Sequence, residues 1–337
     1  MEHKILSWNI RGLGKDNKLV AIRNAIRKNN PNIVRIQETK REIVDDALIR
    51  SLWGSNRCTY VYLASEGASG GIIVMWKEGV VQMEDHLLGA FTIIKFRNLT
   101  DDFVWVFTVV YGTSDAGYYS QFWQELRDIR LIFDEPWMLG GDFNATLSAD
   151  ERNRPGGGLA NRKSFRSFVN RYSLIDLPLS GGRFTWTNSQ QPPLLIRLDR
   201  FLLSPEFNSH CPAPIQMRLN RPISDHAQIM LCCNSGDKVK SPFRLDNFIL
   251  SHPDFLGNLK IWWDILIFTE TNFGNLKSQI DNLELSIDVL DNLEEISGLT
   301  DDDVVAKEQA KLQHTSLSLS LARKLSQRAK ERWDKDG

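Results

Sequence analysis

Short apolar runs recur along the first two thirds of the chain, and several stop at a polar residue. Ile5-Leu6-Ser7-Trp8 reads as a strand that stops at Asn9, and Ile33-Val34-Arg35-Ile36-Gln37 as a second that stops at Glu38. Between them, Asn17 to Asn29 carries Leu19, Ile22 and Ile26 on one side of a predicted helix. Gly70-Gly71 opens Ile72-Ile73-Val74-Met75-Trp76. Phe91 to Phe96 and Val104 to Tyr111 are rich in aromatic and β-branched residues, which suits core strands of a sandwich. A helix over Tyr119 to Ile132 precedes a strand over Trp137 to Asp142, and Leu195 to Leu203 reads as one strand with Asp199 inside it. Many strands and few helices predict two stacked sheets with helices outside, not a doubly wound parallel sheet.

The pattern changes after Cys233. Asn234-Ser235-Gly236-Asp237 has the composition of a linker, and beyond Ser251 helical spacing takes over. Leu276, Ile280, Leu283, Ile287 and Leu290 recur at alternating steps of four and three, a seam suited to pairing with another helix. Ser297-Gly298 ends that helix, and Thr300 before Asp301, Asp302 and Asp303 makes a capped start for the next. The chain is therefore expected to divide into a domain over 1–233, a linker over 234–250 and a helical extension over 251–337. Two helices alone bury little, so the extension is expected to dock on the main domain or, through 276–333, on a helical partner or sequence missing from this chain.

Composition adds limits more than direction. The 337 residues are 42% hydrophobic, enough for one large core, and Lys plus Arg (41) nearly balance Asp plus Glu (42). Any attraction to nucleic acid must therefore come from local patches. Cys58, Cys211, Cys232 and Cys233 lack C-x-x-C spacing, and adjacent Cys232 and Cys233 face opposite ways in a strand. Neither a zinc site nor a disulfide framework is expected, and a reducing compartment fits best. No run approaches the ~20 apolar residues that cross a bilayer, and the start lacks a long apolar segment, so an intracellular protein without membrane contact is expected.

The polar stops are the candidate chemistry. Glu38 at a strand end offers a hard oxygen to a cation such as Mg2+, and Asn9 could orient that metal or a phosphate oxygen. Read alone, Asn9 caps a turn and Glu38 is a solvated acid. Gly140-Gly141-Asp142-Phe143-Asn144 lets a backbone approach closely and, if extended, puts Asp142 and Asn144 on one face, as a base and its helper would be. A turn with Asx hydrogen bonds is the other reading. Asp199, flanked by apolar residues, needs a partner. That partner is either His226, whose ring it would fix and keep cationic, or Arg197 or Arg200 in a structural ion pair. Arg152, Arg154, Arg162, Lys163, Arg166 and Arg171 follow Asp142 and either track a DNA backbone or form a solvated face.

Taken in order, these motifs resemble the endonuclease/exonuclease/phosphatase superfamily, the DNase I-like metal-dependent phosphodiesterases, over about 1–233. Ser7-Trp8-Asn9-Ile10-Arg11-Gly12-Leu13-Gly14, Gln37-Glu38-Thr39-Lys40, Gly140-Gly141-Asp142-Phe143-Asn144, Phe184-Thr185-Trp186-Thr187-Asn188 and Ser224-Asp225-His226 look most like the endonuclease region of plant LINE-type non-LTR retrotransposons. Ser241-Pro242-Phe243-Arg244, continuing to Phe255, resembles their connector toward a reverse transcriptase, and no Tyr/Phe-x-Asp-Asp polymerase motif follows. Arg197 to Ser204 also resembles a segment of AP endonucleases. Arg11 stands where those enzymes carry a metal-side Asp, Thr113 replaces a common Pro, and Ala227-Gln228 follows His226 where a Pro is usual.

The resemblance implies an α+β fold, a four-layer α/β/β/α sandwich with a C-terminal helical appendage. It implies Glu38, Asn9 and Asp225 at a Mg2+ site that Mn2+ could also fill. Asp142 and Asn144 would prepare the nucleophile, Tyr111 would contact phosphate, and Asp199 would orient His226. Asn9, Thr185 and Ser224 would contact substrate. The expected activity is Mg2+-dependent DNA nicking that leaves 3'-hydroxyl and 5'-phosphate ends, in the nucleus. An AP-site nuclease or phosphatase on the same fold, or a transposon-derived remnant that only binds nucleic acid or protein, are the alternatives.

Overall fold

A computed structural model describes residues 3–55, 57–66, 69–89, 91–233, 275–296 and 298–336. The chain opens with β1 (His3–Asn9), α1 (Asp16–Asn29), β2 (Ile33–Gln37), α2 (Asp46–Trp53), β3 (Cys58–Glu66), β4 (Ser69–Lys77), β5 (Val81–Leu88), β6 (Thr92–Asn98) and β7 (Val104–Tyr111). There follow α3 (Tyr119–Ile132), β8 (Trp137–Asp142), α4 (Leu159–Arg171), β9 (Ile175–Asp176), β10 (Leu179–Ser180), β11 (Trp186–Thr187) and β12 (Leu195–Ile196). Then come β13 (Asp199–Leu203), α5 (Pro205–His210), β14 (Ile215–Arg218) and β15 (Ile229–Cys233), and finally the long helices α6 (Asn275–Ile296) and α7 (Asp301–Asp336).

Two sheets carry the fold. One has the order β10-β14-β15-β1-β2-β4-β3 and the other β5-β6-β7-β8-β13-β9, while β11 and β12 pair separately. Each main sheet has a parallel pair near its centre, β1 with β2 and β7 with β8. Parallel neighbours end on the same rim, so Asn9 and Glu38 leave one sheet side by side, and Tyr111 pairs with Asp142 where the other ends.

Side-chain alternation then sorts the core into layers. Ile5, Ile33, Val74 and Trp76 of the first sheet meet Phe96, Trp105, Phe107 and Phe201 of the second. Ile22 and Ile26 of α1, with Ile49 and Leu52 of α2, cover Leu6, Trp8, Val34 and Ile36 on the first sheet's outer face. Trp123 and Leu126 of α3, with Phe165 and Phe168 of α4, cover Val106, Val110, Leu139 and Leu202 on the second. The fold is thus the α/β/β/α sandwich, with helices following it.

Three expectations change. Leu195 to Leu203 is two strands: β12 pairs with β11, the chain turns at Arg197 and Leu198, and β13 joins the second sheet. Arg197 drives the turn by reaching Asp176 at 2.8 Å and the Leu177 carbonyl at 2.8 Å. β5 was not foreseen, because most of it faces water and it lacks an apolar run. Finally, Cys211 and Cys233 form a disulfide, contrary to the expected absence of one. Their spacing carries no signal, since they meet only when β14 folds back on β15. Cys58 and Cys232 are free, and Cys232 faces away from Cys233, toward the helices.

The expected 234–250 linker, with the connector-like segment from Ser241 to Phe255, lies outside the described residues. In α6, Ile280 and Ile287 of the seam are buried. The start of α7 is capped reciprocally: Thr300 Oγ1 accepts from the Asp303 N–H at 3.3 Å, and Asp303 Oδ2 accepts from the Thr300 N–H at 3.0 Å. The two helices pack on the sandwich, with Lys28 of α1 ion-paired to Glu284 of α6. Among the described residues no helix is long and apolar enough to cross a membrane.

Candidate active site

The polar stops converge where the two sheets share a rim. Asn9 is fully buried there, and its amide nitrogen donates to Glu38 Oε1 at 2.8 Å and to Asp142 Oδ2 at 3.2 Å. One side chain thus ties a carboxylate of the first sheet to one of the second. Its oxygen accepts from the Arg11 N–H at 3.2 Å. Glu38 sits just past β2 in the left-handed region (φ 53°), an uncommon conformation for a residue with a side chain, and is half-buried.

Asp142 ends β8 and faces Asp199, the first residue of β13, across the ladder. His226 lies against both. Its Nδ1 is 2.9 Å from Asp199 Oδ2 and its Nε2 is 3.7 Å from Asp142 Oδ2, and all three residues are buried. The competing ion-pair reading of Asp199 is answered by the arginines: Arg197 and Arg200 pair with Glu151 and Asp176 instead. Burial alone would push the imidazole down, but the carboxylates of Asp199 and Asp142 outweigh it and hold His226 up at about 9. Burial pushes Asp142 up to about 6, with the His226 charge pulling it back.

Asn144 does not continue an extended strand beside Asp142. It adopts φ 46°, its N–H donates to Asp142 Oδ1 at 2.9 Å, and its Nδ2 donates to the Gly112 carbonyl at 2.7 Å. The Asx turn and the polar cluster are the same structure. Tyr111 ends β7 half-buried; burial first, then the charges of Glu38 and Asp142, push its phenol well above the ordinary value.

The remaining expected residues are placed differently. Ser224 donates to the Asn9 carbonyl at 2.8 Å and accepts from the His226 N–H at 3.2 Å, so it braces the loop. Thr185 is fully buried, and its hydroxyl accepts from the Leu198 and Asp199 N–H groups at 3.0 and 2.9 Å. It holds Asp199 from behind and presents no face to a substrate. Asp225 is ion-paired with Arg11, and the same oxygen accepts from Trp186 Nε1 at 3.0 Å.

Two buried polar residues of β2 went unassigned in the sequence. Gln37 spans the sheets, donating to the Val110 carbonyl at 3.1 Å and accepting from the Asp142 N–H at 3.2 Å. Arg35 lies fully buried between the sheets, donates to Ser7 and feels the charges of Asp199 and Asp142; burial pulls it down to about 9. Gly141 (φ 148°) makes room: a β-carbon there would overlap the Val110 carbonyl and stand 2.9 Å from both terminal nitrogens of Arg35. A lone cation in the otherwise apolar stretch Ile33 to Ile36 was the available signal.

Ligand atoms of Asp142, Asp199 and His226 lie within 4.8 Å of one another, close enough to hold a metal ion. As arranged, a cationic imidazole already fills that role between the two carboxylates. Glu38 has the hard oxygens and partial exposure that suit Mg2+, which keeps several waters and takes one or two carboxylates. Asn9 turns its nitrogen toward Glu38 and so orients that carboxylate. Of the basic residues after Asp142, Arg162 donates to Thr146 Oγ1 at 3.0 Å near the Asn144 turn, while Arg171 lies over Tyr172 at the far end of α4.

A sequence model described as the endonuclease/exonuclease/phosphatase family matches residues 6–226. No curated protein matches the chain. Among solved structures, the AP endonuclease LMAP from Leishmania major aligns with a TM-score of 0.56 and 18% identity over 70% of this chain and 88% of its own. An AP endonuclease from Archaeoglobus fulgidus aligns with a TM-score of 0.52 and 17% identity, covering 68% and 98%. The endonuclease domain of TRAS1, a telomere-specific non-LTR retrotransposon, gives 0.52 and 12%, covering 69% and 99%. At these identities the likeness is one of fold.

Proposed function

The chain belongs to the endonuclease/exonuclease/phosphatase family, and from that membership we propose that it is a Mg2+-dependent DNA endonuclease of the LINE retrotransposon kind. One observation carries the reading: a single buried amide, Asn9, bonds both Glu38 and Asp142, while His226 stands between Asp142 and Asp199. That arrangement offers a base, a fixed positive charge and a hard-cation ligand within one cluster.

Asp142 takes a proton from water as the water oxygen attacks phosphorus, and Asn144 holds that water in line. The bond from phosphorus to the 3'-oxygen breaks, the 3'-oxygen takes up a proton, and 3'-hydroxyl and 5'-phosphate ends remain. The His226 cation, held by Asp199, stabilises charge growing on the phosphate oxygens, with the Tyr111 hydroxyl beside it, while Asn9 holds Glu38 and Asp142 in place. Glu38 would hold Mg2+ or Mn2+, with Asp225 adding negative charge nearby; the ion would neutralise charge next to the leaving oxygen. Ser224 and Thr185 position rather than touch the substrate. Arg152, Arg162, Lys163 and Arg166 supply the local basic patch that a balanced chain needs to approach DNA. The 3'-hydroxyl suits priming of reverse transcription in the nucleus, which is the retrotransposon part of the reading.

Relaxation of supercoiled plasmid tests it. Nicking requires Mg2+, stops on chelation, and falls by about 10²- to 10⁴-fold in Asp142→Ala, His226→Ala and Glu38→Ala, the range for loss of acid–base or electrostatic groups. Nicking that survives all three substitutions rejects the site. Cleavage confined to an abasic oligonucleotide reassigns the enzyme to AP-site repair, and DNA binding without nicking favours a remnant that only binds.

A further inference from the structure

We propose that α6 is a working part of the catalytic unit, with Glu295 and Asp291 as positioning residues that fix the His226–Asp199 pair. The inference rests on the nuclease reading of that site and extends it to a helix outside the family match. His226 rides on the connection between β14 and β15, while Asp199 is held through Thr185, on the turn that begins at Gly181. These two segments meet at Arg218.

The Arg218 guanidinium donates to the Gly181 carbonyl at 3.1 Å and the Phe184 carbonyl at 3.4 Å. It also pairs with Glu295 and donates to Asn292 Oδ1 at 2.6 Å, both on α6. The second carboxylate oxygen of Glu295 accepts the Arg183 N–H at 2.8 Å. One carboxylate of α6 therefore grips both segments at once. Gly182 (φ 152°) is suited to this path, since a β-carbon there would overlap the Arg218 guanidinium.

The grip continues toward the histidine. Arg221 is buried and donates to Asp291 Oδ1 at 2.8 Å, with Glu294 at 3.4 Å. Lys307 of α7 shares both acids, at 2.7 and 3.0 Å. Asn220 donates to the Glu284 carbonyl at 3.3 Å, and Pro222 to His226 follow directly. An apolar contact would hold a helix here as well or better, because buried ion pairs lose much of their attraction to desolvation. A buried charged network instead specifies a single seating, which a catalytic loop requires.

The test compares Glu295→Ala, Glu295→Gln and Ser286→Ala in the full chain, with rates expressed per folded molecule from circular dichroism. Glu295→Ala lowers kcat for plasmid nicking by about 10- to 100-fold, as small misplacement of a reacting group does, with KM within about twofold of the parent. Glu295→Gln keeps an acceptor for Arg218 and Arg183 and recovers most of the rate. Ser286→Ala removes an exposed hydrogen bond within α6, from Ser286 to the Asn282 carbonyl, that touches neither segment, and leaves kcat unchanged. A second readout does not depend on turnover: the Nδ1 proton resonance of His226 at fixed pH shifts or broadens in Glu295→Ala. Should that variant not fold, Asn292→Ala carries the same comparison, since it leaves the Arg218 charge paired. Parental kcat and a parental imidazole signal in the folded variant overturn the proposal. A parent that shows the signal yet does not nick DNA removes the nuclease reading, and the signal alone then decides the brace.

Discussion

His226 shows how two neighbours can reverse the effect of burial on a side chain. In the proposed mechanism Asp142 acts ionised, as a base, and His226 acts charged, so kcat/KM should rise through about pH 6 and fall through about pH 9. A rate profile across that window checks both limbs, and His226→Gln removes the alkaline one. Folding raises the imidazole pKa, so its contribution to stability is complete below the unfolded value of 6.5 and is lost as pH climbs through about 9. The gap in urea midpoint between parent and His226→Gln should therefore narrow from pH 7 to pH 10. At Gly141 the effect is steric. Gly141→Ala should destabilise by about 2–4 kcal/mol, from overlap with Val110 and Arg35 added to backbone strain, measured by equilibrium unfolding. The candidate residues Asp142 and Asp199 were legible because one ends an apolar run and the other stands within one, and His226 because it closes the polar triplet that follows Ile223. The duties of Thr185 and Ser224 were not, since a hydroxyl that holds backbone and one that meets substrate look alike in a sequence.

Helices were readable where one face is buried and the other is not, and strands where an apolar run is buried. β2 is buried on both faces, and its apolar run announced the strand but not that Gln37 would bridge to β8. β5 escaped notice for the opposite reason, being an edge exposed to water. The break between β12 and β13 depends on Arg197 finding Asp176, a partner distant in sequence that no local pattern predicts. The same holds for α6, whose apolar seam foretold a helix but not its charged docking face. Burial alone would push the Asp291 carboxylate up, and Arg221 and Lys307 outweigh it and hold it below the usual range. Asp291→Asn leaves those two cations short of a counter-charge and should cost about 3–5 kcal/mol, read from denaturant midpoints.

Across the whole molecule, the layers followed from the strand and helix pattern, whereas the disulfide and the seating of α6 and α7 depend on contacts between distant segments. The site also spans the sandwich. Asp142 and Asp199 belong to one sheet, while Asn9, Glu38 and the loop bearing His226 belong to the other. Trp76, Phe96, Trp105 and Phe107 fill the space between those sheets. The groups proposed to react thus stand on opposing jaws, and the gap between them is set by the thickness of a hydrocarbon filling. Trimming a ring well away from the rim should therefore detune turnover before the chain loses its shape, which makes catalysis a gauge of how tightly the interior is packed.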